Sequence, residues 1–363
     1  MVLVAAAGAA GARGRHLEPG ARAEETPGRR HLSVGRDSSV VICHIDAAAA
    51  VTWVTVPKYS FLGRGTAVRK NLGAILLALS GFLLVVGLLA LIWAPGQVKK
   101  LPLDVNSVTH LSGTVSKLGS DEQPVKVESI SKVDSDASDD DVAVWVNTSC
   151  VVIDVDDAPN CVDDSDERLV SASTDVFATD RVSAEAVEEF KGLPDDATKH
   201  VGLINKWPFD TEKKDYEYWD GTADAAVKAV YDRTDELEGV DLYVYKIDIK
   251  DADIEVADGV AGTYDNAGEV WVEPVTGAIL QQSQDQQRYL ADGTKVLDLK
   301  IKFTDDQVKE SASDAKDNVG KINLLTSTIP IVALSAGVIA LLAAVLLILG
   351  NRRAGTRRDS GTA

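Results

Sequence analysis

Two histidines and two cysteines are the most reactive side chains in the central part of this 363-residue sequence. His110 and His200 have no recognisable nucleophile or metal ligand beside them in the chain. The sequence also lacks the G-x-S-x-G, H-E-x-x-H and P-loop motifs that mark common hydrolytic, metal and nucleotide sites. We therefore predict no catalytic residue, no cofactor and no enzymatic activity, with a cell-surface hydrolase as the alternative.

Cys150 and Cys161 form an even pair of cysteines that are close in sequence. Both lie in the segment that the topology below places outside the membrane, where disulfides form and persist. A metal site would need two further ligands, and His110 and His200 are far away along the chain. The pair therefore predicts a disulfide that closes a short acidic loop and contributes roughly 2–3 kcal/mol by loop-closure entropy.

Two acidic runs occur in the same region, DSDASDDD at 134–141 and DVDDAPNCVDDSDE at 154–167. Several carboxylates in a flexible loop can bind Ca²⁺ as a hard oxygen site. Neither run matches the D-x-[DN]-x-[DN]-G loop, however, and like-charge runs are usually solvated. Solvated loops are the preferred interpretation. The calcium alternative would use Asp134, Asp136, Asp139, Asp140 and Asp141.

Aromatic and acidic residues are mixed in the run KWPFDTEKKDYEYWDG at 206–221. An aromatic face with carboxylates can hold a sugar or the edge of a lipid, but aromatic residues at strand spacing are more often core. Both interpretations remain open at this point. The residues of the predicted ligand face are Trp207, Phe209, Tyr216, Tyr218 and Trp219.

Two long apolar runs must hold this central segment in place, Leu72–Trp93 and Ile329–Leu349. Each is long enough to cross a bilayer as one helix. The first is too long for the apolar core of a cleaved signal peptide, and Ile92-Trp93-Ala94-Pro95 is a poor cleavage site. We therefore predict an uncleaved signal anchor and a second transmembrane helix.

Charge is distributed unevenly between the three parts that these runs separate. Residues 94–328 carry 23 Lys and Arg against 50 Asp and Glu, whereas basic residues flank the apolar runs at the two ends. Cytoplasmic flanks collect Lys and Arg, so the sequence predicts a plasma-membrane protein with two spans, both termini cytoplasmic and the central domain extracytoplasmic. Its acidity argues against nucleic acid as a partner. The flanking residues are Lys58, Arg64, Arg69, Lys70, Arg352, Arg353, Arg357 and Arg358.

The first 67 residues differ from the rest, being rich in Ala, Gly and Arg without a sustained helix or strand period. They are predicted to be a disordered tail or a mis-assigned extension, with the natural start near Val68. The full predicted organisation is 1–67 tail or extension, 68–94 signal-anchor helix, 95–303 β-rich domain, 304–328 juxtamembrane helix, 329–349 transmembrane helix and 350–363 basic tail.

The central domain is predicted to be α+β and mostly β, flanked by the two transmembrane helices. β-branched runs and alternation predict strands, among them Val240–Ile249 and the two sides of a turn at Pro274–Gly277. Short helices are predicted at Ala184–Lys191, capped by Ser183, and at Ala223–Tyr231. Thr304 to Gln307 fits a capping box that opens the juxtamembrane helix.

Small residues recur at helical spacing in the second apolar run and would allow another helix to approach closely. The first helix of the same chain, through Ala74 and Ala78, is one partner for this face, and an oligomer is the other. The residues concerned are Ala333, Gly337, Ala336, Ala340 and Ala344.

In this order, the motifs resemble the actinobacterial PorA family, whose function is poorly defined. The resemblance covers the chain from about Val68 to the second span and does not include 1–67. It implies an envelope protein with two terminal membrane helices and, by the family name, a porin. The matching motifs are RKNLGAILLALSGFLLVVGLLA (69–90), STDVFATDR (173–181), GLINKWPFD (202–210), YEYWDG (216–221), GVDLYVY (239–245) and VEPVTGAIL (272–280).

The leading functional hypothesis is a doubly anchored envelope protein whose outer β-rich domain binds or handles an envelope lipid or glycan. The alternative is an oligomeric pore, as the family name suggests. A channel needs a polar lumen, and the two apolar runs offer only Ser80 and Ser335 as polar side chains.

Overall fold

The computed structural model describes residues 65–195 and 197–356. Most of the predicted tail or extension at 1–67, and the basic residues Lys58, Arg64, Arg357 and Arg358, therefore lie outside the described residues. The described chain divides into two compact units. The larger contains residues 76–343, and the smaller contains the ends of the two apolar helices, at 65–75 and 344–356.

Ten strands lie between helical segments at the two ends of the described chain. The helices are α1 (Gly65–Ile92), α2 (Ala94–Val98), α3 (Asp305–Asn323) and α4 (Ile329–Thr356), with a π-helical turn at Leu324–Thr328. The strands are β1 (Asn106–Lys117), β2 (Gln123–Asp134), β3 (Val142–Ile153), β4 (Leu169–Asp180), β5 (Tyr216–Asp220), β6 (Ala225–Leu237), β7 (Val240–Ala257), β8 (Val260–Val272), β9 (Ile279–Leu290) and β10 (Lys295–Phe303). This content confirms the predicted α+β, mostly β class.

All ten strands form one antiparallel sheet in the order β4-β3-β2-β1-β10-β9-β8-β7-β6-β5. The order is two meanders, β1 to β4 and β5 to β10, joined where the first strand pairs with the last. Leu111 of β1 lies opposite Phe303 of β10 in this pairing. Because antiparallel neighbours need only short turns, the chain builds the whole sheet from local hairpins plus this one long-range pairing.

Alternation along the strands gives the sheet two different faces. In β7, Tyr245, Ile247 and Ile249 join the large apolar core, whereas Leu242 and Val244 lie on the opposite face. We call the face with the large core the interior face. Helix α3 covers the opposite face, where its Ala312 and Ala315 are buried with strand residues that include Leu242, Val244 and Leu280.

The sheet curls because strands far apart in its order contribute to one core. Val125 of β2, Ile301 of β10 and Tyr218 of β5 belong to the same apolar cluster. At one end, three isolated bridges connect the two edge strands through short segments. They join Thr179 of β4 to Ala186, Glu185 to Leu203, and Leu203 to Tyr218 of β5. The sheet is therefore a half-barrel that is closed at this end.

Both short helices predicted inside the domain are wrong. Ala186 pairs with Thr179, and the Asp180 carboxylate accepts the amide protons of Val182 and Ser183, so the chain turns instead of starting a helix. Ala223–Tyr231 falls largely in strand β6, where Ala229 is fully buried. Tertiary pairing with β5 and β7 overrides the helix preference of alanine there.

A helix, α3, is present where the juxtamembrane helix was predicted, and it continues through the π-helical turn into the second apolar segment. The Thr304 side chain accepts a hydrogen bond from the Gln307 amide, as the capping box requires. The Gln307 side chain instead accepts from the His110 amide, which fastens the helix start to β1. Val308 and Ile322 of this helix are buried.

Two helices, Asn71–Ile92 and Asp305–Gly350, are long and apolar enough to span a membrane. They pack through small residues, since a Cβ atom added at Gly87 would lie 2.7 Å from the Leu334 side chain. One added at Gly337 would lie 3.0 Å from Leu84. The small-residue face of α4 thus packs on α1 of the same chain, with Ala333 and Ala340 buried, but the predicted α1 contact residues Ala74 and Ala78 are exposed.

The predicted disulfide is present between Cys150 at the end of β3 and Cys161 in the following loop, with Cα atoms 5.5 Å apart. Cys150 lies in a small cluster with Val152 and Ala158, so the bridge holds the acidic loop 154–167 against the sheet. This position matches the predicted role of the pair.

Replacing both cysteines, Cys150→Ala with Cys161→Ala, should lower the free energy of unfolding by about 2–3 kcal/mol, because the unfolded chain loses a closed loop. Urea unfolding of the detergent-solubilised protein, with and without reductant, measures the effect. Reductant should shift the wild type towards the variant and leave the variant unchanged. Equal midpoints for all samples would contradict a stabilising bridge.

Candidate functional site

The interior face of the half-barrel is lined mainly by apolar side chains. Leu111, Val127 and Val151 contribute from one half of the sheet, and Ile247 and Ile301 from the other. All are buried. These side chains belong to one apolar core from which water is excluded.

Strand β9 interrupts this lining with a row of polar side chains that we call the amide ladder, consisting of Gln282, Gln284, Gln286 and Arg288. Their alternate spacing sends them to one face of the sheet, and pairing with Val270 and Tyr264 of β8 shows that this is the interior face. Gln282 and Gln286 are 2% and 1% exposed. Asn266 of β8 lies opposite Gln286 and extends the polar row sideways.

Several polar atoms of this row have no hydrogen-bond partner among the described residues. They are Oδ1 of Asn266, Oε1 of Gln282, Oε1 of Gln286 and Nε of Arg288. Most buried polar atoms in folded proteins are hydrogen-bonded, and an unpaired one costs about 1–3 kcal/mol. Three unpaired acceptors and one donor are therefore gathered in one small region of the interior.

The amide groups that do have partners form hydrogen bonds either along β9 or across the interior to another strand. The Gln286 amide nitrogen donates to the Gln284 side-chain oxygen, and Gln282 hydrogen-bonds the hydroxyl of Tyr218 on β5. At the far end of the ladder, burial lowers the pKa of Arg288. The nearby Tyr264 hydroxyl donates to the Asp220 carboxylate over 3.3 Å. The ladder thus changes from neutral amides to a charged end.

The five aromatic residues predicted as a ligand face are not on one face. Trp207 stacks on Tyr218 with ring centroids 5.2 Å apart, and Tyr216 meets Tyr245 edge-on at 5.7 Å. Trp219 lies in a separate cluster. Trp207, Tyr218 and Trp219 are buried, which agrees with the core alternative for these three. Phe209 alone borders a pocket, described below.

His200 is buried in the segment between β4 and β5 that closes one end of the half-barrel. One ring nitrogen lies 2.7 Å from the Thr198 carbonyl and the other 2.9 Å from the Asp175 carboxylate. Its ring centroid is 4.7 Å from that of Trp219. His110 lies 3.4 Å from Glu128 at the outer face of β1. Both nitrogens of His200 are therefore engaged in holding the segment.

Two of the five acidic residues considered as calcium ligands, Asp134 and Asp139, cap turns with their carboxylates. The Asp134 carboxylate accepts amide protons from Asp136 and Ala137, and the Asp139 carboxylate accepts those of Asp141 and Val142. These bonds lower the pKa of Asp139. Asp140 contributes its carbonyl to Arg181. Within 65–195 and 197–356, no group of three or more acidic, histidine or cysteine side chains is placed to hold a metal ion.

A pocket of about 180 Å³ lies where the connections to both apolar helices meet the domain. We call it the membrane-side pocket. Its walls come from the segment after α2, the loop before Phe209, the β8–β9 turn and the last part of α3. The lining residues are Val98, Lys100, Leu101, Pro102, Val105, Lys206, Phe209, Thr276, Ala278, Asn318, Lys321, Ile322 and Leu325.

Lys206 is the buried charge of this pocket and is only 5% exposed. Its Nζ donates to the Trp207 carbonyl at 2.9 Å and lies 4.0 Å from the Phe209 ring centroid. Burial lowers the pKa of Lys206 to about 7, and the charge of Glu273 opposes that shift only in part. The Glu273 carboxylate is itself occupied by the turn amides of Val275 and Thr276.

Residues 72–346 match the sequence profile of a family described as Porin PorA. The chain belongs to the PorA family. No curated protein matches this PorA-family chain. A crystal structure of a LolA superfamily protein from Nitrosomonas europaea is 9% identical, covering 58% of this chain and 89% of that one, with a TM-score of 0.13. The family assignment therefore rests on sequence.

Sequence reasoning did not single out the amide ladder or Lys206. The run QQSQDQQ at 281–287 places glutamines on both faces of a strand, so only the pairing register shows which of them are buried. Lys206 stands inside the quoted motif GLINKWPFD, beside Trp207. A lysine among apolar and aromatic residues was the available signal for a buried cation in this PorA-family protein.

The lowered pKa of Lys206 makes stability depend on pH. Unfolding returns the pKa of Lys206 from about 7 towards the ordinary lysine value of 10.5. Between these values the unfolded chain binds more protons, so the Lys206 contribution makes stability rise with pH. Lys206→Met should remove this contribution, lowering the slope above pH 7 by about 1 kcal/mol per pH unit. It should also raise stability at pH 7.

Chemical unfolding of the solubilised protein at pH 7, 8 and 9 measures both effects. Lys213→Met, at an exposed lysine in the following loop, is the matched control and should keep the wild-type profile. An unchanged slope in Lys206→Met would show that Lys206 is not a buried, titrating group.

Proposed function

We propose that this PorA-family protein is anchored in the plasma membrane by two helices and binds an amphipathic envelope lipid, including a glycan-bearing one, in its half-barrel. The observation that carries the proposal is the amide ladder, with buried unpaired oxygens inside an otherwise apolar interior. Hydroxyl or amide groups of a ligand head would satisfy these oxygens, while its hydrocarbon part would contact the apolar lining.

Retention of the ladder is difficult to explain by stability alone. Leucine or valine at Asn266 and Gln286 would bury well on an interior face and leave no polar atom unpaired. Polar side chains at these positions cost stability in the unliganded protein. Proteins commonly accept such a cost where side chains act on a ligand.

Membrane anchoring is supported by the surface of the two apolar helices. Phe82, Ile92 and Leu346 are largely exposed, which suits contact with lipid and not with water. We propose the predicted topology, with both termini cytoplasmic and the half-barrel outside. The acidic character of residues 94–328, which carry 50 Asp and Glu against 23 Lys and Arg, supports this orientation.

A binding role without catalysis is part of the proposal. His200 is fixed between Thr198 and Asp175, so neither ring nitrogen is available as a base in this arrangement. The unpaired groups of the interior are amides and a guanidinium, which bind ligands but do not act as nucleophiles.

The family name suggests a pore as the other function. In the described part of the apolar helices, Ser335 bonds to the carbonyls of Ile331 and Val332 in its own helix. The small-residue face is occupied by packing between α1 and α4. Neither feature supplies a polar lumen. Conductance steps in planar bilayers, scaling with protein concentration, would favour the pore and contradict the proposed binding role as the main function.

Asn266→Leu tests the proposed site, because leucine has similar branching but no polar atom. We expect at least one lipid species that co-purifies with the wild type to fall at least tenfold in the variant, measured by mass spectrometry of protein purified from its native membrane. We also expect its free energy of unfolding, measured after delipidation, to rise by about 1 kcal/mol as an unpaired oxygen is removed.

Gln281→Leu is the matched control, since Gln281 neighbours the ladder on β9 but points to the opposite face. It should carry as much lipid as the wild type. Undiminished lipid in Asn266→Leu, or no lipid in the wild type, would refute the proposal.

A further inference from the structure

The membrane-side pocket combines positive charge with apolar walls. Three of the residues that line the pocket are lysines, Lys100, Lys206 and Lys321. None of the lining residues is acidic. This composition is opposite to that of the domain as a whole, in which acidic residues outnumber basic ones by 50 to 23 in residues 94–328. The convergence of three cations here therefore does not follow from average composition.

Lys206 is the buried member of this set, and its charge lacks a direct counterion. Among the described residues, no carboxylate oxygen forms an ion pair with its Nζ. Its neighbours are the Trp207 carbonyl and the face of Phe209, both of which favour a cation without neutralising it. The charge of Glu273 acts on it, but the oxygens of that carboxylate accept from Val275 and Thr276.

The other two lysines lie nearer the solvent. Lys100 forms an ion pair with the exposed carboxylate of Asp141 at 2.9 Å, and Lys321 stands in the last turn of α3. Exposed ion pairs contribute little and rearrange readily, so Lys100 can turn to a bound anion. The pocket can thus supply one buried lysine, whose charged form a bound anion would favour, and two adjustable cations.

The apolar walls indicate what the anion is attached to. Leu101, Phe209, Ile322 and Leu325 surround the lysines with hydrocarbon surface. Val98 is the last residue of α2, which follows α1, and Leu325 lies in the π-helical turn that precedes α4, so the pocket adjoins the two proposed membrane spans. A membrane amphiphile would place its head group among the lysines and its first alkyl carbons against this surface.

We infer that the membrane-side pocket binds the anionic head group, a phosphate or carboxylate, of a membrane amphiphile, with Lys206 as its buried counterion. This inference deepens the proposed function and rests on it for the role of an amphiphile. Its residues are different from the amide ladder, so each site can be tested alone. The turn Thr276–Ala278 joins the two sites, because β9 begins at the next residue, Ile279.

Native mass spectrometry of the detergent-solubilised full chain tests this site with phosphatidylglycerol and phosphatidylcholine as probes. The wild type should bind phosphatidylglycerol at least tenfold more tightly than phosphatidylcholine. Lys206→Met should lose that preference, whereas Lys206→Arg and the exposed control Lys213→Met should keep it. Thermal unfolding of each variant confirms that it is folded.

Equal preference in Lys206→Met and the wild type would overturn the inference. Inorganic phosphate at millimolar concentration serves as the second arm. If inorganic phosphate competed for the pocket as strongly as the lipid does, the ligand would be a free anion. That result would overturn the inference of an amphiphile. Asn266→Leu should retain the phosphatidylglycerol preference. Loss of co-purified lipid in Asn266→Leu therefore reports on the amide ladder, and loss of head-group selectivity in Lys206→Met reports on the membrane-side pocket.

Discussion

The pairing of β1 with β10 is the constraint on which the rest of the structure depends. It joins two meanders into one sheet and places the first and last strands side by side in its middle. Gly113 shows how close the strands come, since a Cβ atom there would lie 1.7 Å from the Lys300 carbonyl oxygen. Because β1 follows α2 and β10 precedes α3, this pairing brings the connections to both apolar helices to the same part of the domain.

The membrane-side pocket and the half-barrel interior both follow from this arrangement. The segment after α2 and the end of α3 meet beside the β8–β9 turn, and their side chains form the pocket walls. The same sheet, curled and closed at one end by the segment that contains Leu203, encloses the interior face. Gly277 adopts a positive φ of 72° in that turn, which lets the Trp207 backbone approach and fixes Lys206 beside it.

Much of the fold could be predicted from local sequence, because its signals are short-range. The two apolar helices, the disulfide, the capping box at Thr304 and the turn at Pro274–Gly277 each depend on residues close together in the chain. The helix predicted at Ala184–Lys191 failed because the Asp180 carboxylate caps a turn just before it. The helix predicted at Ala223–Tyr231 failed because pairing with β5 and β7 decides that segment. Ala229 is in the core through its pairing with Tyr216 on β5 and Ile247 on β7.

The functional residues were harder to predict for the same reason. Gln286 and Gln287 are chemically identical neighbours, and only the register with β8 and β10 sends the first to the interior. Lys206 is distinguished from other lysines by burial, which depends on the turn around Gly277. The aromatic residues Trp207 and Tyr218 attracted attention by type, yet they are mainly core, and the less conspicuous polar residues around them are the better candidates for binding.

The central claim is that the polar row inside the half-barrel contacts an amphipathic ligand. An experimental structure of the full chain, purified from its own membrane at a resolution that shows ordered water, tests it most directly. The account predicts density for a hydrocarbon chain along the apolar lining, with a polar head within hydrogen-bond distance of Asn266, Gln282 or Gln286. Ordered water alone at these oxygens, with side chains packed throughout the remaining interior, would contradict it.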